Sequence, residues 1–159
     1  MKLILHIGTQ KTGTTSIQQF LHINRNVLNS QGILIPKTIA VNNANHRWLP
    51  VFFYDDNFED EFTKTYFQKN KFLRKNLIEK KLKEFKKEVS NSSANICIIS
   101  CEHLSSRLRE IEKIKKFKEL LSSLFDEISI ILYIREPMEL SISMLSTSIK
   151  LGCCVNGIN

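Results

Sequence analysis

The sequence predicts an α/β protein with three layers, α/β/α, around a mainly parallel sheet of about four strands. Three observations point there. Apolar, β-branched runs of strand length occur at 3–7, 96–100 and 128–134. Segments with helical spacing separate them, long enough for crossovers between parallel strands. The first run ends at Gly8 and an amphipathic pattern begins after Gly13, so a strand passes through a glycine-bounded loop into a helix. At 159 residues the chain reads as a single domain, 1–159, with enough length for a proper core. The first strand is expected to be central and the crossovers right-handed.

The loop sets the chemistry. A strand, a glycine-bounded turn and a helix present backbone N–H groups and a positive helix end to a phosphate. Thr14 and Thr15 fall at the first helical turn, where their hydroxyls sit beside those amides. Lys11 lies within the loop and brings a cation to the same place. The nucleoside-triphosphatase signature G-x-x-x-x-G-K-[ST] puts lysine directly after its second glycine. Here Gly8 and Gly13 keep the P-loop spacing, but Thr14 stands at that position and the lysine has moved back to Lys11. A magnesium-dependent phosphoryl transferase is poorly served by this exchange.

Further along, the first helix is expected over 14–28, with Ile17, Phe20, Leu21 and Leu28 on one face and Gln18 elsewhere. Asn29 to Gly32 is a stop signal, and 32–36 reads as a second strand closed by Pro36. Asn45 is a candidate cap for a short helix through His46, Trp48, Val51 and Phe52, which Pro50 limits to its first turn. His46 follows strand two, on the side of the sheet where ligands gather. It reads equally as a structural histidine.

Residues 58–89 form one or two amphipathic helices, with Ile78, Leu82, Phe85 and Val89 at helical spacing. Ten Lys or Arg and three Glu between Lys64 and Glu88 give a solvated basic face. No aromatic residues interleave that face, so nucleic acid is not expected as a partner. The run 96–100 is apolar enough to be central. Cys101-Glu102-His103 follows at its C-terminal end, the edge where open α/β sheets bind ligands. Glu102 or His103 is there placed to accept a proton, or else to serve as a helix cap or ion pair.

A helix over 107–125 shows a core stripe of Ile111, Ile114, Phe117, Leu121 and Leu124. The fourth strand, 128–134, leads into Arg135-Glu136-Pro137, where Pro137 suits a first helical turn. Met138, Ile142, Leu145 and Ile149 then mark the buried face of the last helix.

A net charge of +7 by itself favours acidic partners: nucleotides, sulfated or carboxylated sugars, nucleic acid, or anionic membrane. The N-terminal apolar run is too short for a signal peptide, and no run reaches the ~18 apolar residues of a transmembrane helix. Cys97, Cys101, Cys153 and Cys154 form neither a metal spacing nor a disulfide framework. Reduced cysteines in a cytoplasmic protein are the simplest expectation.

The stretch Gly8-Thr9-Gln10-Lys11-Thr12-Gly13-Thr14-Thr15, continued by Ser16, resembles the 5′-phosphosulfate loop of sulfotransferases, closest to carbohydrate-type and bacterial members. A second stretch, Arg135 to Ser143, resembles their 3′-phosphate motif: a strand, an arginine, often a proline, and a serine eight residues on. The resemblance implies a sulfotransferase using 3′-phosphoadenosine 5′-phosphosulfate as co-substrate, without a metal. It implies donor binding by the loop, Arg135 and Ser143, charge stabilisation by Lys11, and a catalytic base at His46 or Glu102. It covers most of this chain but only the front part of such enzymes, so a C-terminally truncated domain is expected. A catalytically silent nucleotide-binding module is the second reading, and a P-loop kinase or ATPase the third. The acceptor (sugar, lipid, peptide or small phenol) is left open.

Overall fold

In the computed structural model, which describes residues 1–42, 44–67, 71–150 and 152, four strands form one all-parallel sheet. They are β1 (Lys2–His6), β2 (Ile33–Leu34), β3 (Ile96–Ser100) and β4 (Glu127–Ile131), in the order β2-β3-β1-β4. β1 therefore lies inside the sheet, as expected, with His6 level with Ser100 on one side and Ile131 on the other. The eight helices among the described residues are α1 (Thr14–Ile23), α2 (Arg25–Ser30), α3 (Trp48–Val51), α4 (Glu61–Phe67), α5 (Lys71–Ser90), α6 (His103–Arg107), α7 (Ile111–Ser122) and α8 (Pro137–Lys150).

Alternation along the strands supplies both faces of the sheet. Leu3, Leu5, Cys97 and Ile99 join Phe85 and Val89 of α5 and Leu121 of α7 in the larger core cluster. Ile98 and Ile33 instead pack with Leu21 of α1 and Ile35 in a second cluster. Each fully buried Leu, Ile or Phe contributes about 1.5–3 kcal/mol relative to exposure. Cys97 and Cys101 are buried free thiols, and burial pushes the Cys101 thiol up to about 12. Cys153 and Cys154 lie outside the described residues.

Several sequence expectations are corrected. The helix expected over 14–28 is interrupted at Asn24, whose backbone and side-chain N–H groups both donate to the Phe20 carbonyl at 3.0 and 2.9 Å. Such local bonding competes with helix continuation. The buried residues of α1 are Thr14, Gln18 and Leu21, while Phe20 is 59% exposed. The segment 58–89 divides into α4 and α5, as one of its two alternatives had it. Its basic face is not wholly solvated: Arg74 is buried and donates to the carbonyls of Asp55, Asp56 and Phe58, which gathers that loop.

The helix expected over 107–125 is shorter: α6 ends at Arg107, and the expected helix begins only at Ile111, as α7. Only its C-terminal half is core, because Ile111 and Ile114 are exposed while Leu121 and Phe125 are buried. On α8, Met138, Ile142, Leu145 and Ile149 are all exposed, against the buried face expected for them. Their spacing is helical, but no described element packs upon it. Among the described residues, β4 pairs only with β1 and forms an edge of the sheet. Among the described residues, no helix is long and apolar enough to cross a membrane.

Candidate functional site

The β1–β4 ladder outlasts the strands and fixes the glycine loop. Ile7 N–H donates to Ile131 O at 3.0 Å, Tyr133 N–H to Gly8 O at 2.7 Å, and Thr9 N–H to Tyr133 O at 2.9 Å. The loop is thereby tied to the segment that delivers Arg135. Gly8 has φ +101°, and a Cβ there would meet Glu102 Cα at 2.9 Å. No side chain fits, so the loop lies directly against the end of β3. Lys11 (φ 64°) and Gly13 (φ 85°) turn the chain back into α1. Thr12 Oγ1 donates to Thr9 O at 2.6 Å and closes the turn. Ser16 and Ile17 N–H groups bond to Gly13 O, whereas the Thr14 and Thr15 N–H groups find no acceptor among the described residues. Two free amides at the start of a ten-residue helix form an anion-receptive end.

These residues meet in one cleft of about 690 Å³. Its walls include Lys11, Gly13, Thr14, Thr15, Glu102 and, from the other motif, Arg135 and Ser143. Arg135 Nη1 donates to the Lys11 carbonyl at 3.2 Å, and its Nε pairs with Glu139 at 3.0 Å. Lys11 Nζ donates to Thr147 Oγ1 at 2.5 Å, one helical turn beyond Ser143. A neighbouring groove of about 650 Å³ shares Lys11, Gly13 and Arg135 and runs along Leu132, Tyr133 and Ile134. Gln10 lines the main cleft and Thr12 the groove. Gly8, Thr9 and the exposed Ser16 line neither, against the donor-binding part expected of them.

The two proposed bases part company. His46 is fully buried. Its Nδ1 accepts from Ser100 N–H at 3.0 Å, which leaves Nε2–H to donate to Pro36 O at 3.1 Å. Both ring nitrogens are committed to backbone, and His46 does not line the cleft, so its place is that of a brace between the ends of β2 and β3. Burial, stronger than the backbone bonds that oppose it, lowers its pKa from 6.5 to about 4. The folded state holds it neutral, whereas the unfolded chain takes up a proton below about pH 6.5. Its contribution to stability is thus complete above pH 6.5 and lost as pH falls toward 4. At pH 5 the loss is about 2 kcal/mol. Urea unfolding at pH 7.5 and pH 5 reads this directly, and His46→Gln is expected to flatten the pH slope.

Glu102 does face the cleft. Gln18 Nε2 donates to its Oε2 at 2.7 Å and Asn45 Nδ2 to its Oε1 at 3.4 Å. His103 Nε2 lies 3.7 Å from the same carboxylate. Burial and then the Arg47 charge lower His103 to about 4, so it is neutral and only weakly basic at pH 7. Sequence reasoning missed three residues. Gln18 was placed off the apolar face, though it follows Thr14 by one turn and is buried with it. Thr147 stands one turn after Ser143, and Arg107 projects from α6 into the cleft.

Fold and loop together define a parallel α/β protein with an anion-receptive cleft at the C-terminal edge of its sheet. Comparison with family models, curated proteins and solved structures finds no match to this chain.

Proposed function

We propose that this protein is a sulfotransferase that moves a sulfuryl group from 3′-phosphoadenosine 5′-phosphosulfate to an acceptor hydroxyl or amine, in the cytoplasm. One observation supports it most. Lys11 with the free amides of Thr14 and Thr15, and Arg135 with Ser143, line the same cleft, and Arg135 touches the Lys11 backbone. A ligand with two anionic ends is the chemistry such a cleft favours. Its volume falls within the usual range for small-ligand sites, about 300–1,000 Å³.

Bound there, the donor supplies a sulfuryl group on a phosphate leaving group. Glu102, oriented by Gln18, takes the acceptor proton as the acceptor oxygen or nitrogen bonds to sulfur and the sulfur–oxygen bond to phosphate breaks. Lys11 and the loop amides meet the charge that builds on the departing phosphate. Arg135 and Ser143 hold the 3′-phosphate, the group that separates this donor from ATP. In this reading His46 has no part in proton transfer.

Incubation with ³⁵S-labelled donor and a panel of phenols and sugars tests the reading by formation of labelled sulfate ester. Glu102→Gln is expected to slow that transfer by about 100-fold or more while donor affinity is kept. Nucleotide binding without any labelled ester would instead favour the catalytically silent module.

A further inference from the structure

Beside the nucleotide cleft lies a second pocket of about 590 Å³, which shares Thr15, Glu61, Glu102, His103 and Arg107 with it. Building on the sulfotransferase reading, we propose that this pocket receives the acceptor, and that the acceptor is a non-acidic, ring-bearing hydroxyl compound rather than a polyanion.

Part of the pocket lining is aromatic, from Phe62 and Tyr66. Phe62 and Tyr66 of α4 stand with centroids 4.4 Å apart and planes tilted by 33°. Trp48 abuts both edge-on, at 5.3 and 5.4 Å, and holds the platform in place. Tyr66 is 40% exposed and lines the pocket. Such a surface stacks on rings.

Charge decides against an acidic acceptor. Among the described residues, the pocket's carboxylates are Asp60, Glu61 and Glu102, and its guanidiniums are Arg47 and Arg107. Three negatives and two positives leave −1, within a chain whose net charge is +7. Arg47 is moreover spent: it is buried, paired with Asp60, and donates to Tyr54 Oη at 2.6 Å. Burial opposes ionisation of Asp60, but the Thr63 N–H and Arg47 outweigh it and hold that carboxyl below its ordinary range. Among the described residues, a carboxylated or sulfated acceptor would meet Glu61 and Glu102 with Arg107 alone to offset them. The general basic character of the chain therefore does not extend to this pocket.

Two matched pairs of probes isolate charge from shape: methyl β-D-glucopyranoside against methyl β-D-glucuronide, and phenol against 4-hydroxybenzoate. Saturation-transfer NMR on the full chain is expected to show the neutral member of at least one pair binding about fivefold or more tighter than its acidic twin. Which pair responds tells a sugar ring from a phenolic one. Tyr66→Ala, an exposed position, is expected to weaken that binding about fivefold. Glu61→Arg, which turns the pocket to +1, is expected to reverse the preference. Equal or tighter binding of the acidic twins, failure of both neutral probes, or indifference to Tyr66→Ala overturns the proposal. Adenosine 3′,5′-bisphosphate titrated in parallel keeps the readings apart. If the nucleotide does not bind but the neutral ring does, the sulfotransferase reading falls and the ring-binding pocket stands.

Discussion

Lys11→Ala is expected to lower sulfuryl transfer by about 100- to 1,000-fold while adenosine 3′,5′-bisphosphate binds within about fivefold of the parent. The asymmetry follows from when the charge appears. A cation aimed at a departing phosphate oxygen stabilises most what exists only in the transition state, an effect of about 3–4 kcal/mol. In the proposed ground state the loop amides of Thr14 and Thr15 and the Arg135 fork, which line the same cleft, would still grip the nucleotide. The backbone conformation is no obstacle to the comparison, since lysine already occupies φ 64° and alanine meets the same constraint there. The substitution also removes the bond from Nζ to Thr147 Oγ1. Thr147→Val is the control: it cuts that bond and keeps the cation. Single-turnover rates beside calorimetric affinities separate the two effects. Equal losses in rate and in affinity would assign Lys11 to binding alone.

The largest stability effect is expected at Gly8. Alanine there would set its Cβ 2.9 Å from Glu102 Cα and 3.0 Å from Glu102 Cβ, at φ +101°. Backbone strain costs about 1–3 kcal/mol. Forcing apart two packed segments adds about 1–3 kcal/mol more. Against a typical total of about 5–15 kcal/mol, that is enough to unfold a marginal domain. Gly13→Ala is the informative comparison. It shares the positive φ, at 85°, but nothing lies within 4 Å of its added Cβ, so only the backbone term applies. Urea midpoints are expected to fall clearly further for Gly8→Ala than for Gly13→Ala. Equal midpoints would mean that the contact with Glu102 is not rigid.

Much of this site could be read from the chain because its key geometry is local. Glycine, lysine and paired threonines over eight residues determine the turn from β1 into α1, and Pro137 marks the start of α8 wherever that helix packs. The nearness of Lys11 and Arg135 is less local, yet it follows from β1 and β4 being neighbours in register. Burial was harder to read. His46 and Glu102 are both polar residues after strands, and sequence holds no sign that one is enclosed by Pro36 and Ser100 while the other opens on a cleft. Gln18 was misread for a related reason: a polar residue on the inner side of a helix looks misplaced until its carboxylate partner, remote in sequence, is known. The apolar spacing of α8 predicted a buried face, but periodicity reports only that residues share a face. Whether anything covers that face depends on what packs against it.

The central claim is that one nucleotide is held at both of its anionic ends. Calorimetric titration with adenosine 3′,5′-bisphosphate, AMP and ATP tests it most directly, with Arg135→Ala alongside. The bisphosphate is expected to bind about tenfold or more tighter than AMP or ATP, and Arg135→Ala to remove most of that advantage, as loss of a charge-assisted bond worth about 1.5–3 kcal/mol requires. Equal affinity for the bisphosphate and AMP, or a preference for ATP that Arg135→Ala leaves unchanged, would contradict the account.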